Sequence, residues 1–111
     1  MNCTNFNCYS ILIIMDDYKI HEPFFDSRIT PSNKKYSVYV IKDKKPKLIH
    51  FGDRSMQHYH DKIGKWKSLD HGDKERRKNY LARAKGIKNK SGRYTWKDIN
   101  SANYYSVYYL W

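Results

Sequence analysis

The sequence predicts a small α+β domain, and three stretches carry that prediction. Residues 36–51 read as two short strands joined by a turn, residues 73–85 as one basic helix, and residues 104–111 as a closing aromatic strand. At 111 residues the chain has the size of one domain, with residues 34–111 as its body and residues 1–33 as an N-terminal extension or arm. Its core must be small, because a chain this short leaves much of its surface wet.

The hairpin comes first. Residues 36–41, YSVYVI, are rich in β-branched and aromatic side chains, with Tyr36, Val38 and Val40 on one face and Tyr39 and Ile41 on the other. Asp43, Lys44, Lys45 and Pro46 supply a turn, residues 47–51 return as the second strand, and Gly52-Asp53 closes it. A lone hairpin is marginal in water, so the helix and the C-terminal run must cover one face.

The helix lies within residues 70–86. Asp70 or Asp73 can accept from the first free backbone N–H groups, and Asp73 and Glu75 place negative charge at the positive end of the dipole. Lys85 falls in the last turn, and Gly86 is suited to the left-handed conformation that ends a helix. Arg77, Tyr80, Leu81 and Ala84 share one side at spacings of three and four, a thin stripe that must lie on something else.

The remaining stretches are connectors. Residues 54–69 carry no clean period; Ile63, Trp66 and Leu69, three apart, suit a short helical turn in a loop that packs Trp66 inward. Residues 88–93 form a polar loop, residues 94–96 a short strand or packed loop, and residues 98–103 a turn. Residues 104–111, YYSVYYLW, are aromatic enough that they must close the core or meet a partner, and their composition favours a strand.

Two readings are open for residues 1–14: an extra strand, or an upstream extension ahead of a start at Met15, which the polar Met15-Asp16-Asp17 favours. The apolar run in residues 9–15 is too short to span a membrane and lacks the basic start of a secretory signal. In residues 15–33, Pro23 and Pro31 break regular structure, and Phe24-Phe25 either anchors a neighbouring protein or covers an edge of the chain's own sheet.

Charge is uneven. The chain holds 22 Lys and Arg against 11 Asp and Glu, a net of +11. Residues 34–97 hold 20 basic against six acidic side chains, a net of +14, whereas residues 1–33 carry −2. A basic segment interleaved with aromatics points to a polyanion. Lys and Arg release counterions from a phosphate backbone, and rings such as those of the eleven Tyr stack on unpaired bases.

Catalytic and metal chemistry finds little support. Cys3 and Cys8 form a single C-x4-C pair, which makes neither a zinc site nor a disulfide framework and suits a reducing interior. His58, His60 and Asp61, with Asp70 and His71 nearby, suggest a metal site, and with Asp53 an acid–base set for phosphodiester hydrolysis; without cysteine help or an H-E-x-x-H pattern they read as a solvated loop. No phosphate-binding glycine loop and no nucleophile elbow is present. The expectation is a non-enzymatic protein with no cofactor and no metal.

At KKYSVYV (34–40), LIHFGD (48–53), LDHGDKERRKNYLARAKGIKNKSG (69–92) and SANYYSVYYLW (101–111), the chain resembles small basic proteins encoded by nucleocytoplasmic large DNA viruses, especially mimivirus relatives. Shorter segments are similar to head-associated proteins of tailed phages. The resemblance spans residues 34–111 and implies a virus-encoded protein of the virion or the infected-cell cytoplasm (the viral factory), not secreted, with no activity assigned. Relatives often carry His after the Arg near the helix end, where this chain has Ala84, so no catalytic His is implied there.

The function expected is therefore viral nucleic-acid binding, of DNA or RNA with low sequence specificity, in a virion- or genome-associated protein that has no membrane partner. Lys74, Arg76, Lys78, Arg83, Lys85, Lys88, Lys90 and Arg93 are the expected phosphate contacts. Arg76 and Arg83, seven apart, share a helical face, whereas Arg77 sits with the apolar stripe. The alternative is a structural virion protein that cements other virion proteins through Phe24, Phe25, Tyr108 and Trp111.

Overall fold

Strands β1 (Lys34–Lys42) and β2 (Lys45–Asp53) pair antiparallel, with Tyr36 opposite Phe51, Val38 opposite Ile49 and Lys42 opposite Lys45. The structure, a computed structural model, describes residues 18–111. The hairpin turn is tighter than the sequence suggests. Asp43 and Lys44 alone make it, at φ 52° and 64°, the two-residue loop whose backbone twist matches that of the strands. Pro46 belongs to β2 rather than to the turn, opposite Ile41, and is tolerated because β2 pairs on one side only.

Residues 18–33 run along the other edge of β1. The backbone N–H of Phe24 donates to the carbonyl of Ser37 (2.9 Å), that of Ser37 to Phe24 (2.8 Å), and that of His21 to Tyr39 (2.8 Å). Phe24 is buried, stacked on Tyr18 with ring centroids 3.7 Å apart, and Phe25 stands edge-on to Trp66 at 5.5 Å. Phe24 and Phe25 thus cover the chain's own sheet, the second of the two roles open to them. The expectations for residues 1–14 and for a start at Met15 lie outside the described residues.

With the arm on one side and the core on the other, residues 35–40 are all buried. Tyr36, Val38 and Val40 meet Phe51 from β2 and Tyr105 and Leu110 from the C-terminal segment in one cluster. On the opposite face Thr30 Oγ1 contacts Ser37 Oγ at 2.8 Å, and Ser37 Oγ contacts His50 Nδ1 at 2.7 Å, so the buried hydroxyls are satisfied.

Helix α1 (Lys74–Ala84) starts at Asp73, whose side chain accepts from the N–H groups of Glu75 and Arg76. Asp70 takes no part in that cap. Its end differs from expectation: Gly86 does not adopt the left-handed conformation, and the last turn closes by Lys85 N–H to Leu81 and Gly86 N–H to Arg83.

The C-terminal segment is a correction. Residues 104–111, expected as a strand, instead fall largely within helix α2 (Ala102–Tyr109), which starts inside the stretch read as a turn and is capped by the Ser101 hydroxyl accepting from Asn103 N–H. A continuous apolar run does not by itself separate a strand from a buried helix, and the deciding signal, Ser101 as a cap, sat in a stretch read as a turn. Tyr105 of α2 and Leu110 just beyond it join the core cluster against the hairpin face. Short 3-10 turns occupy Lys67–Leu69 and Thr95–Lys97, the latter replacing the short strand considered for residues 94–96. Trp66 packs against the core and donates from Nε1 to the carbonyl of Lys35. Among the described residues no helix is long and apolar enough to cross a membrane.

Two stability measurements check this account. Lys44→Gly removes a side chain from a left-handed position, and a gain of about 1 kcal/mol, several degrees in Tm, is expected; a loss would contradict the turn geometry. Tyr105→Ala empties the fully buried centre of the α2 contact, and a cost of about 3–5 kcal/mol in urea titration is expected. A cost below about 1 kcal/mol would mean that α2 does not seal the core.

Candidate nucleic-acid interface

The stretch between β2 and α1 looks irregular in sequence but is held by two carboxylates. Asp61, fully buried, accepts from the Tyr36 hydroxyl (2.5 Å), from the N–H of Trp66 (2.8 Å) and from those of Ile63 and Gly64. Burial pushes its pKa up, but these donors outweigh it and hold Asp61 below the usual carboxylate range. Asp70 accepts from His58 Nε2 (2.6 Å) and from the N–H of Asp61 (2.8 Å), and lies 3.1 Å from His60 Nδ1.

A buried chain of polar groups leads inward from there. Lys35, 2% exposed, donates from Nζ to the carbonyl of Met56 and to His58 Nδ1 (2.7 and 2.8 Å). His58 therefore carries its proton on Nε2, toward Asp70. Burial, and then the Lys35 charge, lower the pKa of His58; burial likewise lowers that of Lys35. The reading of His58 and Asp61 as a solvated loop is thus overturned, since both side chains are fully buried and bonded. Sequence reasoning failed here because the partners, Tyr36 and Lys35, lie more than 20 residues away. Among the described residues no group of three His, Cys, Asp or Glu is arranged to hold a metal ion.

This loop sets one wall of a groove of about 460 Å³ at the open end of the hairpin. Lys34, Lys35, Gly52 and Asp53 line it from the strand ends, Met56 and Gln57 from the loop, and Arg76, Asn79, Tyr80 and Arg83 from α1, with Trp111 closing the far side. Arg76 donates to Gln57 Oε1 at 2.9 Å, and Tyr80 stacks flat on Trp111 with centroids 4.0 Å apart. Asp53 is engaged by the N–H and hydroxyl of Ser55, which lower its pKa. Among the described residues, Lys34, Arg76 and Arg83 form no ion pair with a carboxylate.

The expected phosphate contacts fall on two flanks of α1. Arg76 and Arg83 share the groove, as their spacing requires. Lys85 lies on the opposite flank, its Nζ 4.8 Å from the Trp96 ring centroid, and the helical angle carries Lys74 and Lys78 to that side. Lys88 sits over Tyr94 at 4.9 Å, Arg93 lines a broader groove with Lys42 and Lys97, and Lys90 is exposed in its loop. Lys34 and Asn79 complete the groove and were missed; neither a strand end nor a neutral polar helix position gives a sequence signal of what it will face. Arg77, set aside as structural, donates to the backbone oxygen of Trp111 at 2.8 Å and lies 5.1 Å over Tyr59. Of the residues offered for protein contacts, Tyr108 is 44% exposed, whereas Trp111 is taken up by Tyr80.

Residues 27–84, just over half of the chain, match a family of unknown function, DUF5754, and the chain belongs to that family. The matched stretch opens within the arm, holds the hairpin, the carboxylate-braced loop and all of α1, and stops before α2. No curated protein and no solved structure matches the chain.

The histidines give a pH test. Burial lowers the pKa of His50, His58 and His71 in the folded state, while in the unfolded chain each titrates near 6.5. Their contribution to stability is full above that value and is lost as pH falls through the lower folded pKa. Urea midpoints should therefore decline as pH falls from about 6.5 downward, apart from any rise at alkaline pH that the lowered pKa of Lys35 adds. A decline that begins only below about pH 4 would leave the carboxylates as the only source.

Proposed function

We propose that this family member is a non-enzymatic nucleic-acid-binding protein that holds phosphates in the groove between the hairpin mouth and α1. The observation that carries the reading is the convergence of Lys34, Arg76 and Arg83 on one groove, where among the described residues no carboxylate forms an ion pair with any of them. Guanidinium groups suit phosphate oxygens, and Asn79 adds a neutral donor beside them. The net charge of +11 supplies the long-range attraction. The virion- or genome-associated setting is part of the proposal and rests on the resemblance to proteins of large DNA viruses. The cementing alternative is weaker, because Phe24 is buried and Trp111 is stacked within the chain.

Salt dependence tests the reading. Three cations on phosphates give a log–log slope of affinity against salt of about −2 to −3, and Arg76→Gln with Arg83→Gln should flatten it by about 1.5 to 2. Both side chains are exposed, so the helix should survive the change. No binding to DNA or RNA at low salt, or a slope that ignores the double substitution, overturns the proposal.

A further inference from the structure

On the flank of α1 away from the phosphate groove lies a second, smaller depression of about 230 Å³, lined by Lys62, Arg77, Leu81, Lys85, Trp96, Val107, Tyr108 and Trp111. Its lining combines aliphatic and aromatic side chains with three cations, and among the described residues no acidic side chain lines it. Two of the cations are fixed by backbone oxygens, Lys62 Nζ on Tyr108 at 2.7 Å and Arg77 Nε on Trp111 at 2.8 Å, and Lys85 lies over Trp96. Tyr108, 44% exposed, packs on Tyr104 with centroids 4.5 Å apart and keeps part of its ring open, while Trp96 carries Lys97 as well as Lys85 over its ring, side chains that an incoming base would displace. The space is below that of sites enclosing drug-sized ligands, so it suits one flat unit.

We infer that this depression takes an unpaired nucleobase, stacked against Trp96 and Tyr108, with its phosphate on the cations. The inference rests on the nucleic-acid reading and narrows it to single strands. A base inside a duplex has both faces covered by its neighbours and cannot reach the rings, whereas a single strand offers a free face. The cations alone would attract any anion; the combination with rings selects an anion that is also aromatic. α1 separates the depression from the phosphate groove, so a strand crossing the helix meets phosphate contacts on one flank and a stacking site on the other.

The test titrates the full chain at low salt with a mixed-sequence single strand, the same sequence as a duplex, and a single strand of abasic sites. The base-bearing single strand should bind at least about tenfold tighter than the other two. Tyr108→Ala and Trp96→Ala should each weaken it about 5- to 100-fold, with duplex and abasic binding little changed, and Trp96→Phe should restore most of the loss. Thermal melts accompany each variant; if Trp96→Ala does not melt cooperatively, Tyr108→Ala, on an exposed ring, decides. Equal binding of the three ligands, still sensitive to Arg76→Gln with Arg83→Gln, overturns this inference and leaves the phosphate groove standing. Absence of binding to all three overturns both.

Discussion

Asp61 is fully buried, and its charge is met by four hydrogen-bond donors rather than by an ion pair among the described residues. Burying a carboxylate costs several kcal/mol, and donors to a charged acceptor return about 1.5–3 kcal/mol each, so the four together offset it. Three of those donors are backbone N–H groups of residues 63, 64 and 66, which fixes that turn over Tyr36. The braced loop then passes His60 N–H to Leu110 and Lys62 N–H to Tyr109, which sets the end of α2. Trp111 follows, and Tyr80 and Arg77 of α1 dock on it. The position of the basic helix thus traces back to one carboxylate in an irregular loop.

That docking also explains how the charge is divided. Tyr80, Leu81 and Ala84 pack toward the rest of the chain, with Arg77 at their edge on the Trp111 backbone oxygen, so the remaining cations of α1 are forced to either side. Arg76 and Arg83 meet Lys34 on one side, and Lys85 meets Lys62 on the other. The unequal furnishing of the two sides, with Asn79 beside one set and Trp96 and Tyr108 beside the other, gives them different chemistry despite the same sign.

How much of this was readable in the sequence depends on the range of the interaction involved. The strands were legible from the alternation of Tyr36, Val38 and Val40, and α1 from Asp73 followed by a stripe at helical spacing, because both signals are local. Their end details were less so: the turn needed only Asp43 and Lys44, and α1 closed without a left-handed Gly86. α2 was missed because a run of tyrosines has no polar face to show its period. The arm's role depended on whether β1 had a free edge, a property of the fold and not of residues 18–33. The site followed the same rule. The pairing of Arg76 with Arg83 was visible as a spacing of seven, while Lys34, Asn79 and the Lys35–His58–Asp70 chain needed tertiary neighbours.

The outer edge of β2 carries a different consequence. Among the described residues nothing pairs with it, so it is the one place where the sheet could be extended by another chain. Pro46 interrupts the row of donors there, and Lys45 and Lys47 stand exposed on either side. A second copy laid along that edge would meet a missing N–H and set ammonium against ammonium, a mismatch that guards the hairpin against fibrous self-assembly.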